Sequence, residues 1–230
     1  ADPEWAVAFS DLFSRRRKEE PDHDTGAAKA PVHSTKVLAK FIAGLNGRTS
    51  PVLLDLGSVT GSNVTFFGER LGCKIIVEDL SKDIDKAVKE KTLPDLPGHF
   101  GTRFSQEDAS IDGVLCWDLF DYLDKNAAAA LARQIVRILK PEGVVLAFFN
   151  TLEPKEPNPA VYTKHVVVDQ AHLQYRPYPA ARGKQRPFQN RDIQRMFEPL
   201  RITEQFLLKS QQREMLFRKS GDTKAAGAGA

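Results

Sequence analysis

The sequence has little of several residue types and patterns, and each shortage excludes a class of protein. Cysteine occurs only at positions 73 and 116 among 230 residues, in apolar runs without zinc-site or disulfide-framework spacing. We therefore predict two buried thiols and no metal site. No apolar run approaches the ~18 residues of a membrane span, and the first residues lack a secretory signal. These shortages predict a cytoplasmic protein with no membrane partner.

Strong charge of one sign is also missing. The chain has 33 lysines and arginines against 30 acidic residues, a net charge of +3, which is too small to indicate nucleic acid by itself. Basic residues do cluster at Arg15–Lys18 and between residues 164 and 191. These clusters could bind an anionic acceptor or RNA, or they could simply form a solvated surface.

Short apolar runs alternate with amphipathic stretches along the middle of the chain. Buried strands are predicted at 52–54, 74–77, 113–116 and 144–149, with helices between them. This alternation predicts an α/β fold whose parallel sheet is covered on both faces. We expect one more strand near His99–Phe104. A helix at 191–197 and an antiparallel hairpin of residues 202–208 and 214–218 complete the predicted fold.

The flanking segments have a different composition. Residues 1–33 are predicted to hold an amphipathic helix at 5–20 and a flexible linker or lid, and the main domain to span residues 34–219, with Ser34 as the N-cap of its first helix. Residues 151–190 contain six prolines and are predicted to be an irregular insertion. A disordered tail is expected at 220–230.

The most informative stretch begins where the first buried strand ends. Asp55 is followed by a turn with Gly57 and Gly61 and then by a helix. These glycines allow positive φ and let the backbone approach a ligand closely. At the carboxyl edge of a parallel sheet, this arrangement predicts a binding crevice. The dinucleotide fingerprint G-x-G-x-x-G is absent, and Asp55 would oppose a pyrophosphate, so a ligand carrying positive charge is favoured. Capping of the turn is the alternative role of Asp55.

Two acids end the next strand. Glu78 and Asp79 follow the turn by about 20 residues, the distance at which an acid accepts both hydroxyls of a ribose. Strand alternation places their side chains on opposite faces, so only one is expected to bind the ribose, and Asp79 is favoured. Both could instead be solvated acids at a strand end.

In order and spacing, these stretches resemble the class I S-adenosylmethionine (SAM)-dependent methyltransferases. The four matching stretches are 55–61, 77–81, 111–118 and 139–143. Val59 stands where the family has the middle glycine of its first motif. The resemblance implies a Rossmann-like α/β fold with a seven-stranded, mostly parallel sheet, helices on both faces, an antiparallel C-terminal hairpin and additional N-terminal helices. It also implies SAM as cofactor and S-adenosylhomocysteine (SAH) as product.

The resemblance also implies which residues bind the cofactor. They are Asp55, Gly57, Ser58 and Gly61 at the methionine end, Glu78, Asp79 and Leu80 at the ribose and adenine, and Trp117 and Asp118 beside the sulfonium. The third motif is not recognisable, although residues 104–108 lie where it is expected. No catalytic residue is assigned, because each histidine or tyrosine between 162 and 178 is more often structural than catalytic.

The residues at the end of the fourth predicted strand indicate which kinds of methyl acceptor are favoured. Enzymes of this fold that methylate amino groups of nucleic acids carry an Asp/Asn-Pro-Pro-aromatic tetrapeptide there, and this chain has Trp117–Phe120 instead. We therefore predict methylation of a small molecule covered by the N-terminal helices and residues 151–190. The alternatives are a non-catalytic SAM-fold binding or assembly module and an RNA methyltransferase, with a nicotinamide oxidoreductase least favoured. The acceptor and the oligomeric state stay open.

Overall fold

The computed structural model describes residues 30–155 and 157–221, and the elements below lie in the unit that begins at residue 31. The strands are β1 (Val32–Ser34), β2 (Val52–Asp55), β3 (Lys74–Val77), β4 (Ile111–Trp117), β5 (Leu139–Asn150), β6 (Val161–Asp169), β7 (His172–Pro179), β8 (Arg201–Leu207) and β9 (Gln212–Arg218). The helices are α1 (Leu38–Leu45), α2 (Gly61–Val64, continued by a π-helical turn at Thr65–Arg70), α3 (Leu80–Glu90), α4 (Leu96–Arg103), α5 (Lys125–Ile138) and α6 (Asn190–Met196). The helix and linker predicted before residue 30, and the tail predicted from residue 222 onward, lie outside the described residues.

The main sheet has the predicted mixed character. Its order is β3-β2-β4-β5-β9-β8, with parallel pairing from β3 to β5 and antiparallel pairing of β9 and β8. This confirms the Rossmann-like α/β fold and the C-terminal hairpin. Among the described residues, the sheet has six strands rather than the seven expected. The prediction of a strand near His99–Phe104 is wrong, because α4 occupies that segment.

The local sequence explains why residues near 100 are helical. Pro97 stands in the first turn of α4, where a missing N–H costs no hydrogen bond. Leu96 and Phe100 are four residues apart and both buried, which is the spacing of one helix face. A short apolar pair of this kind suits a helix as well as a strand, so the strand prediction failed.

Apolar spacing accounts for the layers around the sheet. Every residue of β4 is buried, as expected of a strand covered on both faces. The buried residues of α1 are Leu38, Phe41, Ile42 and Leu45, which repeat at i, i+3, i+4 and i+7. Both cysteine thiols are free and buried, as predicted. In the described part of the chain, no helix combines the length and apolar character needed to cross a membrane.

The segment predicted to be irregular, residues 151–190, contains a hairpin. β6 and β7 pair antiparallel, and β7 also pairs with β1 to form a second, three-stranded sheet in the order β1-β7-β6. The prolines that suggested irregular structure, Pro177 and Pro179, lie beyond the stretch of β7 that pairs with β1. They therefore occupy an edge position, where a missing N–H is tolerated.

The start of the first helix also differs from the prediction. Ser34 belongs to β1, and α1 begins at Leu38. The cap comes from a distant residue, since the carboxylate of Glu214 on β9 accepts the backbone N–H groups of Lys36 (2.8 Å) and Val37 (3.1 Å). A partner 177 residues away in sequence replaces the local cap.

Candidate functional site

A narrow cleft, part of it open to solvent, lies at the carboxyl ends of β2 and β4. The residues lining it include Gly57, Ser58, Ser81, Trp117, Asp118, Tyr162, Thr163, His165 and Tyr178. The carboxyl edge of the parallel strands supplies one wall, and the β6–β7 hairpin supplies the other. Ligands bind at this edge in open α/β sheets.

Asp55 forms the base of the turn after β2. Its Oδ1 accepts hydrogen bonds from the backbone N–H of Gly57 (2.9 Å) and from the indole Nε1 of Trp117 (2.8 Å). Burial raises the pKa of Asp55 from its ordinary value of 3.8 to about 6, although these hydrogen bonds oppose the rise. Asp55 therefore orders the turn and joins it to the end of β4.

Gly57 is required by close packing rather than by positive φ. A Cβ at this position would lie 2.7 Å from Cδ1 of Trp117, whereas one at Gly61 would meet nothing within 4 Å. Neither glycine uses the positive φ that its residue type allows, since the described glycines with positive φ are Gly47 and Gly72. Trp117 itself has φ of 50°, which is uncommon for a bulky residue and occurs most often at functional sites.

The two acids after β3 have different partners. Asp79 accepts hydrogen bonds from the hydroxyls of Ser58 (3.4 Å) and Ser81. Glu78 pairs with Arg103 (2.8 Å) and accepts a bond from the side-chain amide of Gln106 (3.2 Å). Asp79 therefore faces the glycine turn, while Glu78 faces the end of α4.

Gln106 is a candidate that the sequence could not place. Its Oε1 is buried and has no hydrogen-bond partner, while its amide nitrogen is held by Glu78. A buried acceptor without a partner is costly unless a ligand or water satisfies it. Residues 104–108 lie where the unrecognised third motif was expected, and Gln106 is the member of that stretch that reaches an acid of the predicted site.

The hairpin brings residues from far along the chain into the cleft. The imidazole of His165 on β6 stacks on the indole of Trp117, with ring centroids 5.1 Å apart and planes 4° apart. The hydroxyl of Tyr178 on β7 contacts Ser58 and lies 3.1 Å from the hydroxyl of Ser81. The sequence marked both as aromatic or titratable, but only the β6–β7 pairing shows that they reach the glycine turn.

A buried ion cluster closes the far side of the cleft. Nζ of Lys184 lies 2.9 Å from Asp118 and 2.8 Å from Asp121. Burial acts to raise the pKa of Asp118, but the positive charge of Lys184 and the nearby His165 lower it overall. Burial raises the pKa of Asp121 to about 6, although Lys184 opposes the rise. Lys184 was counted among the basic residues that could meet an anionic partner, and the structure pairs it internally instead.

The predicted cofactor residues are only partly assembled around the cleft. Gly57, Ser58, Trp117 and Asp118 line it, and Asp79 contacts Ser58 from the neighbouring loop. Leu80 is fully buried in the core at the start of α3. The structure thus brings the glycine turn, the end of β4 and Asp79 together, whereas the side chain of Glu78 binds Arg103 and Gln106 instead.

The polar and aromatic groups around the cleft are chemically suited to SAM. The hydroxyls of Ser58 and Ser81 donate hydrogen bonds to the carboxylate of Asp79. Ribose hydroxyls are donors of the same kind and can replace them there. The buried Oε1 of Gln106, adjacent to Glu78, suits an amino group such as that of adenine. The aromatic and acidic surroundings of Trp117 suit a sulfonium, since aromatic faces and carboxylates attract cations.

Residues 53–143 match the model of a methyltransferase domain family. No curated protein matches the sequence.

Three solved structures illustrate the fold likeness. The Burkholderia thailandensis 1,6-didemethyltoxoflavin-N1-methyltransferase, with 1,6-didemethyltoxoflavin and SAH bound, is 18% identical over 96% of this chain and 91% of its own, with a TM-score of 0.48. The glycopeptide N-methyltransferase MtfA complexed with SAM is 15% identical over 79% and 92%, with a TM-score of 0.44. A SAM-dependent methyltransferase from Clostridium acetobutylicum is 14% identical over 94% and 100%, with a TM-score of 0.43.

The matched residues 53–143 include the glycine turn, both acids after β3 and the whole of β4, which are the elements that build the cleft. Methyltransferases of this family use SAM as the methyl donor. The middle part of the chain, residues 53–143, is therefore similar to a methyltransferase domain, and the topology of its main sheet is Rossmann-like.

Proposed function

We propose that this protein transfers a methyl group from SAM to a small-molecule acceptor that enters between the glycine turn and the β6–β7 hairpin. The observation that carries the proposal is the convergence of Asp79, Ser58 and Trp117 on one cleft. Asp79 binds the ribose hydroxyls in place of the serine hydroxyls. Gly57, Ser58 and Gly61, with Asp55 ordering the turn, bind the methionine end.

The remaining predicted residues complete the cofactor site in this proposal. Glu78 and Leu80 flank the adenine, and Gln106 supplies the buried acceptor for its amino group. Trp117 and Asp118 lie beside the sulfonium. When bound, SAM supplies an electrophilic methyl group, so the protein's contribution is to position the acceptor and to exclude water.

The hairpin is the proposed acceptor-side insertion of a domain spanning residues 34–219. Its inner surface presents His165 and Tyr178 to the cleft, and Tyr162 fixes its base through a 2.9 Å bond to Asp85 on α3. The two buried thiols favour a reducing, cytoplasmic location.

A second candidate function is a non-catalytic module with the same fold. The specific observation favouring it is that the Tyr178 hydroxyl contacts both Ser58 and Ser81, in the space between the glycine turn and Asp79. A cleft closed permanently by Tyr178 would admit no cofactor. In an enzyme, the hairpin would open when SAM enters.

Transfer of label from SAM tritiated in its methyl group separates the two candidates. The protein is incubated with panels of phenols, amines and carboxylic acids, and separately with total RNA. The proposal expects label in a small-molecule product, with Asp79→Ala inactive at the same SAM concentration. Label in RNA would replace the small-molecule acceptor. Failure of both panels, together with no binding of SAM, would favour the non-catalytic module.

A further inference from the structure

The imidazole of His165 has an unusual environment within the cleft wall. Its side chain is only 2% exposed, and its Nδ1 is buried without a hydrogen-bond partner. The backbone of this residue is fixed, because its carbonyl accepts a 2.8 Å bond from the side-chain amide of Asn63. A rigidly held, buried polar atom with no partner is costly, and such atoms occur where a ligand completes the hydrogen bonding.

Burial and Lys184 lower the pKa of His165, whereas one neighbouring acid, Asp118, favours proton uptake by the ring. Oδ1 of Asp118 lies 3.8 Å from Nδ1 of His165, while Oδ2 of the same carboxylate is bound to Lys184. Asp121, also bound to Lys184, is the second acid of the group, and Tyr175 of β7 packs against the ring edge with centroids 5.1 Å apart. When both acids are ionised, the one lysine leaves a net negative charge that can stabilise an imidazolium.

We propose that His165 is the general base of methyl transfer, acting on an acceptor whose attacking oxygen or nitrogen carries a proton. This inference rests on the proposed function, since it requires the sulfonium of SAM beside Trp117. The stacking of His165 on that indole puts the imidazole next to the predicted position of transfer. Burial lowers the pKa of His165, against the opposing effect of Asp118, so the ring is neutral near pH 7 and able to accept a proton.

The step balances in atoms and electrons. A lone pair of the acceptor atom forms the new bond to the methyl carbon while the carbon–sulfur bond breaks, and its electron pair stays on sulfur, which yields the thioether SAH. The acceptor proton passes to Nδ1 of His165, the buried ring nitrogen that has no hydrogen-bond partner. The Nδ1–H of the resulting imidazolium then faces Asp118, and the ring releases its proton to water after the product leaves.

The walls of the site favour a planar acceptor. Trp117, Tyr162 and Tyr178 line the cleft together with His165. Aromatic side chains pack well against flat, apolar ligands. A phenol combines a flat aromatic ring with a hydroxyl that is acidic enough for a neutral imidazole to accept its proton. We therefore assign phenol-like hydroxyl compounds as the acceptor class.

The proposed role of His165 can be tested with sinefungin, even though the acceptor is unknown. Sinefungin carries an amino group where SAM carries the transferable methyl. Sinefungin and SAH are titrated calorimetrically into wild type, His165→Phe and His172→Phe, the last being a control at an exposed histidine of the same hairpin. One hydrogen bond to a charged group is worth about tenfold in affinity. Wild type and the control should therefore prefer sinefungin about tenfold, and His165→Phe should lose the preference while still binding SAH.

The outcomes separate the two levels of the proposal. Equal preference in wild type and His165→Phe overturns the role of His165 alone, whereas folded wild type that binds neither compound overturns the proposed function. If His165→Phe does not fold, wild type labelled with ¹⁵N-histidine gives the answer. Sinefungin, but not SAH, should then shift the imidazole nitrogens of His165, assigned by single substitution of the other four histidines, and no such shift overturns the role.

Discussion

The side chain of Asn63 is hydrogen-bonded to the backbone of His165. Its amide nitrogen donates to the carbonyl of His165 (2.8 Å), and its Oδ1 accepts the N–H of Val167 (2.8 Å). Asn63 lies on α2, directly after the glycine turn, and the other two residues lie on β6. One amide therefore joins the predicted cofactor loop to the hairpin that covers it.

Asn63→Ala should loosen the hairpin. Removing the amide leaves two buried backbone groups unsatisfied, which costs about 1–3 kcal/mol for each group left without water. Hydrogen exchange should speed up at residues 161–169, and the melting temperature should fall. Asn126→Ala, at an exposed position of α5, is the control and should change neither measurement. Unchanged exchange in β6 of Asn63→Ala would contradict the linkage.

Gly57→Ala should disturb the end of β4. The added Cβ would lie 2.7 Å from Trp117, so the indole must shift and strain its bond to Asp55, at a cost of about 1–3 kcal/mol. Gly61→Ala meets open space and should change the free energy of unfolding by less than about 0.5 kcal/mol. Urea denaturation monitored by tryptophan fluorescence compares the two. Equal stability of both variants would show that the packing of Trp117 on Gly57 is unimportant.

Asp55 should make stability depend on pH. Its pKa in the folded protein is about 6, above the ordinary 3.8, so its favourable contribution is complete below pH 3.8 and is lost as the pH rises through 6. The shift corresponds to about 3 kcal/mol. Asp55→Asn keeps an acceptor oxygen for Gly57 and Trp117 but removes this titration. The difference in unfolding free energy between variant and wild type should therefore grow from pH 4 to pH 7, and a constant difference would refute the assignment.

Lys184→Met should be strongly destabilising, because it leaves Asp118 and Asp121 buried without their cation. Loss of one partner from a buried ion cluster costs about 3–5 kcal/mol. Lys125→Met is the matched control, since Lys125 pairs with Asp192 at an exposed position, where such pairs are worth less than about 1 kcal/mol. Thermal unfolding at pH 8 measures both. Equal losses would mean that the buried cluster contributes no more than a surface pair.

Local patterns predicted the parallel part of the fold well. The buried strands and the helices between them depend on neighbours in sequence. The same local character is seen at the start of α5, where Asp124 accepts the N–H groups of Asn126 and Ala127. The glycine turn and its acid were predicted for the same reason. Each of these features needs only a short stretch of chain.

The features that the sequence could not predict depend on pairing between distant residues. Glu214 caps α1 from 177 residues away, and β7 pairs with β1, although the two are about 140 residues apart. At Gly57 there is no room for a side chain, because Trp117 packs against the backbone. This packing cannot be read from the sequence around the glycine. The cleft residues His165 and Tyr178 reach the site only through the β6–β7 hairpin.

The most direct test of the central claim is calorimetric titration of wild type and Asp79→Ala with SAM and, separately, with NAD. The cleft geometry predicts one SAM bound per chain, no binding of NAD, and loss of SAM binding in Asp79→Ala with the fold retained by circular dichroism. Binding of NAD in preference to SAM, or no binding of SAM by folded wild type, would contradict the claim that this cleft holds the methyl donor.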